Sequence, residues 1–186
     1  MDLFQAIADR YSYRGEFTKA SIPRPDLEKI VQAGIQAPSA GNRQVATFVI
    51  VDDPALLRQI AEIVGKPVCR SAPAMIACAV DLRPMFAGTA FTEEDCAAFF
   101  VEDCAAAVEN MLLAITALGY ASVWLDGVLR SENRAQRISR LLGVPAAKTI
   151  RILLPVGVPA EPGRQKEKLP FHQRAWFNRY GGADQR

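Results

Sequence analysis

Apolar residues recur along the chain in two rhythms, and together they predict its elements. Leu3, Phe4 and Ile7 fall at helical spacing and predict a short helix over residues 2–9. Pro23 and Pro25 bracket a turn, Asp26 is placed to cap the next helix, and Leu27, Ile30, Val31, Gly34 and Ile35 share one face of it as far as about Gln36. Pro38 closes that segment. Phe48-Val49-Ile50-Val51 and residues 75–80 are short continuous apolar runs, the pattern of buried strands. Between them Asp53-Pro54 opens a helix to about Val64, with proline in its first turn. Residues 84–91 carry aromatics in a pattern too polar for a strand. Thr92-Glu93-Glu94-Asp95 reads as a capping box for a helix reaching Leu118, about 39 Å long at 1.5 Å per residue. From Ala105 onward it is apolar nearly all round, which predicts burial on every side, at the centre of the domain or of a dimer. Gly119 stops it. Residues 121–125 predict a third strand, residues 131–142 an Arg-rich amphipathic helix closed by Gly143 and Pro145, and residues 150–156 a fourth strand, apolar except for Arg151.

Helices and strands alternate irregularly, which predicts an α+β or mixed α/β domain with helices on both faces of one sheet. At 186 residues the chain reads as a single domain, 1–186, with a core able to bury about 70% of its unfolded surface. After Pro159 the pattern dissolves into an arm, 160–186, rich in polar residues, Pro and Gly. Leu169, Phe171, Trp176, Phe177 and Tyr180 favour an arm that wraps around something over a disordered tail.

Composition narrows the chemistry. The net charge is only +2, which argues against a nucleic-acid partner, whereas residues 161–186 hold six bases against three acids. One His and no HExxH, CxxC or GxSxG pattern leave no metal cage within the chain and no familiar hydrolytic centre. Cys69, Cys78, Cys96 and Cys104 lack metal spacing and read as core thiols in a reducing cytoplasm, although Arg70 beside Cys69 leaves a low-pKa thiol open there. The opening Met1-Asp2-Leu3-Phe4 is unlike a secretory signal. The longest uncharged apolar stretch, from Asn110 to Leu125, is short of the ~20 residues a bilayer span requires. The expectation is a cytoplasmic protein with no membrane segment.

Four short motifs could carry chemistry. Arg10-Tyr11-Ser12-Tyr13-Arg14 sets two guanidiniums around a hydroxyl, suited to a phosphate, or is a solvated helix end. Ala37-Pro38-Ser39-Ala40-Gly41-Asn42-Arg43-Gln44 combines small residues that permit close backbone approach with amides that donate and accept; it is equally an ordinary turn. Trp124-Leu125-Asp126-Gly127 ends a strand, either as a ligand-facing position or a plain turn. Lys166-Glu167-Lys168, in an extended segment, would point two ammoniums one way, towards a phosphate or into solvent.

In this order the motifs resemble the nitroreductase family of FMN-dependent oxidoreductases. The likeness extends to the helix Glu102-Asp103-Cys104-Ala105-Ala106-Ala107-Val108-Glu109-Asn110-Met111-Leu112-Leu113, to Leu118-Gly119-Tyr120-Ala121-Ser122-Val123-Trp124, to Pro155-Val156-Gly157-Val158-Pro159-Ala160-Glu161 and to Leu169-Pro170 after the arm's lysines. The resemblance implies a central mixed, largely antiparallel β-sheet flanked by helices, and a homodimer with FMN at the interface and the C-terminal arm exchanged. It implies that Arg10, Ser12 and Arg14 bind the phosphate and ribityl region with Tyr11 alongside, and that Lys166 and Lys168 add charge there. Pro38, Ser39, Ala40 and Asn42 of the other protomer, with Gln44, would lie against the flavin ring. Leu125, Asp126 and Gly127 would approach ring N5, and a polar contact to the pyrimidine edge would fall around Gly65 to Arg70. It further implies ping-pong transfer from NAD(P)H to a flat acceptor such as a nitroaromatic or quinone, with no protein catalytic residue and no metal. Phe86, Phe91, Phe99 and Phe100, in a stretch suited to a lid, are candidate substrate contacts. Dehalogenation, dehydrogenation or a non-catalytic regulatory role remain open for such a chain.

Overall fold

The computed structural model describes residues 1–81 and 90–182, and of Glu93 only the backbone. Four antiparallel strands form one sheet in the order β1-β2-β4-β3: β1 (Ala46–Val51), β2 (Ala74–Asp81), β3 (Ala121–Ser122) and β4 (Lys148–Gly157). The sheet is sandwiched. Helices α3 (Pro54–Val64), α4 (Pro67–Arg70) and α6 (Arg134–Leu141) cover one face; α2 (Arg24–Ile35) and α5 (Glu93–Ala117) cover the other. Helix α1 (Leu3–Asp9) leans on α5.

Strand alternation builds both cores. On β2, Met75, Ala77 and Ala79 face the α3 layer, while Ala74, Ile76, Cys78 and Val80 face the α2/α5 layer, and the whole strand is buried. On β4 the register passes from Cys78↔Ile152 to Ala79↔Ile150 and leaves Arg151 without a partner. This extra residue is a bulge, so Ile150 and Leu153 face the same layer despite their odd spacing.

The predicted elements appear with five differences. Pro23, not Asp26, caps α2; the Asp26 carboxylate accepts from Lys29 Nζ (3.0 Å) and the Tyr120 hydroxyl (2.9 Å). Strand β3 spans two residues, Ala121 and Ser122, and beyond it only Leu125 bridges back to Leu153. Helix α6 begins at Arg134, since Glu132 and Asn133 hold left-handed backbone (φ 55° and 54°). Helix α5 has the predicted capping box between Thr92 and Asp95 but is not buried all round in the single chain. Met111 and Ile115 are enclosed, Leu113 is half-buried, and Val101 is exposed. The predicted strand at residues 48–51 is half-exposed, as befits the edge strand β1.

Candidate functional site

The N-terminal motif starts where α1 stops. Tyr13 donates its amide to the Ser122 carbonyl (2.8 Å) and Phe17 bridges Pro159, so residues 12–18 run along the end of the sheet. Buried Tyr13 and Phe17 alternate with exposed Ser12 and Arg14, whose guanidinium donates to the Ser12 carbonyl (3.3 Å). Arg10 Nε lies 3.4 Å from Glu109 Oε1, which leaves the other guanidinium nitrogens as donors.

The arm returns to the same place. Gln165 Nε2 donates to the carbonyls of Arg10 (2.9 Å) and Ile7 (3.2 Å), and Gly163 lies so close to the Tyr11 ring that a side chain there would collide with it. Burial raises the Tyr11 hydroxyl pKa, so the group remains neutral. Lys166 and Lys168 therefore leave the point at which the arm is tied to Arg10, and both are exposed. Gln165, the anchor, was not read from the sequence; its place beside Lys166 was the available signal.

The loop after α2 has an unusual backbone. Gly41, Asn42 and Gln44 all have φ between 51° and 56°. Single non-glycine residues in that region cost of order 1–3 kcal/mol and persist where surroundings over-determine them. Two contacts do so: Ser39 Oγ accepts the Gln44 amide (2.9 Å), and the Ala40 amide donates to Asp103 Oδ1 on α5 (2.8 Å). Asp103 is 7% exposed, and its Oδ2 has no partner among the described residues. It is the second residue the sequence reading did not single out for the site, although it lies in the quoted α5 motif. Asp103→Ala is expected to cost about 1–3 kcal/mol, the penalty of orphaning a buried donor, and to raise amide exchange across residues 38–44. Exchange unchanged from wild type would contradict this anchoring.

Leu125, Asp126 and Gly127 line a cavity of 500 Å³ together with Val64, Gly65 and Lys66. Gly65 closes α3 in the left-handed region (φ 69°), which is why the chain can turn into the cavity there. Of the span 65–70, Gly65 and Lys66 thus meet the 125–127 segment. Asp126 accepts both Arg130 nitrogens (2.9 and 2.6 Å), and the bulged Arg151 lies 3.9 Å away. Arg130 first, then Arg151, holds the Asp126 carboxyl below the usual carboxylate range, although partial burial opposes them. The lowered pKa makes the pair stabilising above the ordinary carboxylate pKa of about 4, an advantage lost as pH falls through the folded value. Arg130→Ala should therefore lower the melting temperature at pH 7, with the gap closing towards pH 3 in a melting series.

The lid candidates divide. Phe86 lies outside the described residues. Phe91 is exposed and meets Phe99 edge-on at 5.2 Å. Phe100 is 1% exposed and packs with Val45 and Cys96, so it belongs to the core and has no face for a substrate. All four cysteines are buried. Burial pushes the Cys69 thiol up to about 12, the reverse of a thiol activated by Arg70. Among the described residues, no helix is long and apolar enough to cross a membrane.

Comparison with known proteins shows the family and the fold. The nitroreductase family model matches residues 7–75 and 64–158. A protein of Archaeoglobus fulgidus named as an NADH dehydrogenase/NAD(P)H nitroreductase is 33% identical over 147 residues, 78% of this chain and 79% of its own. The crystal structure of nitroreductase A from Vibrio parahaemolyticus superposes with a TM-score of 0.81 at 28% identity, covering 99% of this chain and 79% of that one. The NADPH:FMN oxidoreductase of Vibrio harveyi, solved with NAD+, gives 0.79 at 25% identity, over 98% and 79%. The chain belongs to the nitroreductase family.

Proposed function

We propose that this nitroreductase-family oxidoreductase holds FMN between two copies of the chain and uses NAD(P)H to reduce a flat acceptor such as a nitroaromatic or quinone. The observation that carries the reading is the Gln165 tie, which brings the basic arm back to the Arg10–Arg14 segment across 155 residues of sequence. The donor set fits FMN. Two guanidiniums, a hydroxyl and two ammoniums suit its phosphate, and the 500 Å³ cavity beside Leu125–Gly127 offers backbone and a carboxylate to a polar ring edge.

Held there, FMN would supply the hydride chemistry between the nicotinamide and a second substrate admitted in turn to the same pocket, a ping-pong scheme. The chain's own residues have simpler tasks. Arg10, Ser12, Arg14, Lys166 and Lys168 neutralise and fix the phosphate, with Tyr11 backing them. Asp126, kept ionised by Arg130, can only accept hydrogen bonds and so orients ring N–H groups. Leu125 and Gly127 present backbone to the ring. Pro38, Ser39, Ala40, Asn42 and Gln44 of the second copy close its other side, their geometry held by Asp103. Phe91 and Phe99 stand as candidate contacts for a flat acceptor.

Apolar exposure at both chain ends supports the dimer and the exchanged arm. Phe4 is 81% and Tyr180 90% exposed, and Leu3, Leu169, Phe171 and Phe177 are exposed with them. Such groups are rarely left bare in numbers on a monomer. Purified protein is expected to be yellow or to take up FMN, and to size and scatter as a dimer. A colourless protein that binds no FMN would overturn the reading, and a monomer with a self-packed arm would overturn the dimer.

A further inference from the structure

A second cleft lies against α3 and α4, and its lining includes none of Arg10–Arg14, Pro38–Gln44, Leu125–Gly127, Lys166 or Lys168. It is an open cleft of about 860 Å³, within the range of small-molecule sites. Its floor is apolar: Leu57 and Ala61 from α3, Cys69 from α4 and Ala72 beyond it, all buried. Among the described residues, no buried polar side chain lines that floor apart from the Cys69 sulfhydryl, which burial keeps protonated, so the floor offers an apolar body a surface and no nucleophile.

The rim is charged, and unevenly. Lys19 comes from the segment before α2, Arg58 from α3 and Arg70 from α4. Three cations from three separate elements converge on one opening, unlike a solvated run on one helix face. None of the three forms an ion pair among the described residues. Of the two acids on the rim, Asp52 is already engaged by both Arg24 nitrogens (2.6 and 3.1 Å), which leaves Glu62 as the one opposing charge without a described ion pair. A low-dielectric floor beneath an excess of positive charge focuses the field on an anion.

We propose that this cleft is a second ligand site, taking an amphipathic organic anion whose flat or extended apolar body lies on Leu57, Ala61 and Cys69 while its acidic group is held by Arg58, Arg70 and Lys19. Gly65 lines both this cleft and the cavity beside Asp126, so the two sites are neighbours across the end of α3 with different occupants. The proposal does not rest on the FMN reading.

The probe is 8-anilinonaphthalene-1-sulfonate, followed by fluorescence on the protein freed of flavin and by calorimetry on the FMN-loaded protein. One saturable site per chain is expected, unaffected by FMN. N-phenyl-1-naphthylamine, the same body without the sulfonate, should bind about tenfold more weakly. Arg58→Glu with Lys19→Glu should weaken the sulfonate about tenfold while melting temperature and FMN uptake hold; Arg58→Glu alone serves if the double variant does not fold. Failure to saturate, displacement of the probe by FMN, or an unchanged Kd in the folded charge-reversed variant would each overturn the proposal.

Discussion

Arg14→Ala combined with Lys168→Ala is expected to weaken FMN binding about a hundredfold or more. Both side chains are exposed, and they come from segments held together by Gln165 and by the packing of Tyr11 on Gly163. A hydrogen bond to a charged group contributes about 1.5–3 kcal/mol, so losing either contact should raise Kd at least tenfold, and losing both should release the phosphate to solvent. Because neither side chain is part of the core, the flavin-free double variant should melt within about 0.5 kcal/mol of flavin-free wild type. Quenching of FMN fluorescence on titration reads the affinity. Equal affinity in variant and wild type would remove the phosphate assignment while leaving the family membership intact.

Gly157→Val is expected to be the most damaging single change to the fold. A Cβ at Gly157 would lie 2.6 Å from the Phe17 ring, closer than side chains pack, and Phe17 is itself buried with Tyr13. The ring cannot swing aside without opening that cluster, so overpacking should cost about 3 kcal/mol. The damage should also reach the site, because Phe17 and Tyr13 fix the backbone on which Ser12 and Arg14 are carried. Denaturant unfolding should show a lowered midpoint, and FMN should bind more weakly to whatever remains folded. Gly127→Ala is the control: a Cβ there meets nothing within 4 Å, so stability should be unchanged. Wild-type stability for Gly157→Val would mean that Phe17 is not pinned as described.

Most of the layout was legible in the sequence because it rests on local signals. The capping box at Thr92, Asp53 ahead of Pro54, and the apolar runs of β2 and β4 each act within a few residues, and each element appears where its signal lies. The misses came from longer-range partners. Asp26 has the chemistry of a cap, yet Tyr120, 94 residues away, engages its carboxylate. Phe100 reads as a lid aromatic, yet α5 turns it towards Val45. Arg151 interrupts an apolar strand, and only the bulge explains its place beside Asp126. The candidate site divides in the same way. The groups proposed to bind its phosphate were read from residue type and order, but the residues that fix the geometry, Gln165 and Asp103, act across 155 and 63 positions and carry no local pattern.

Electron transfer from NAD(P)H through bound FMN is tested most directly by anaerobic reduction. FMN-loaded protein is mixed with one equivalent of NADH or NADPH in the absence of oxygen, and the flavin absorbance is followed. The account predicts that the yellow absorbance bleaches with at least one nicotinamide and returns when a quinone or nitroaromatic is added. Flavin that stays oxidised with both nicotinamides would contradict it and would favour a flavin-binding protein without this activity.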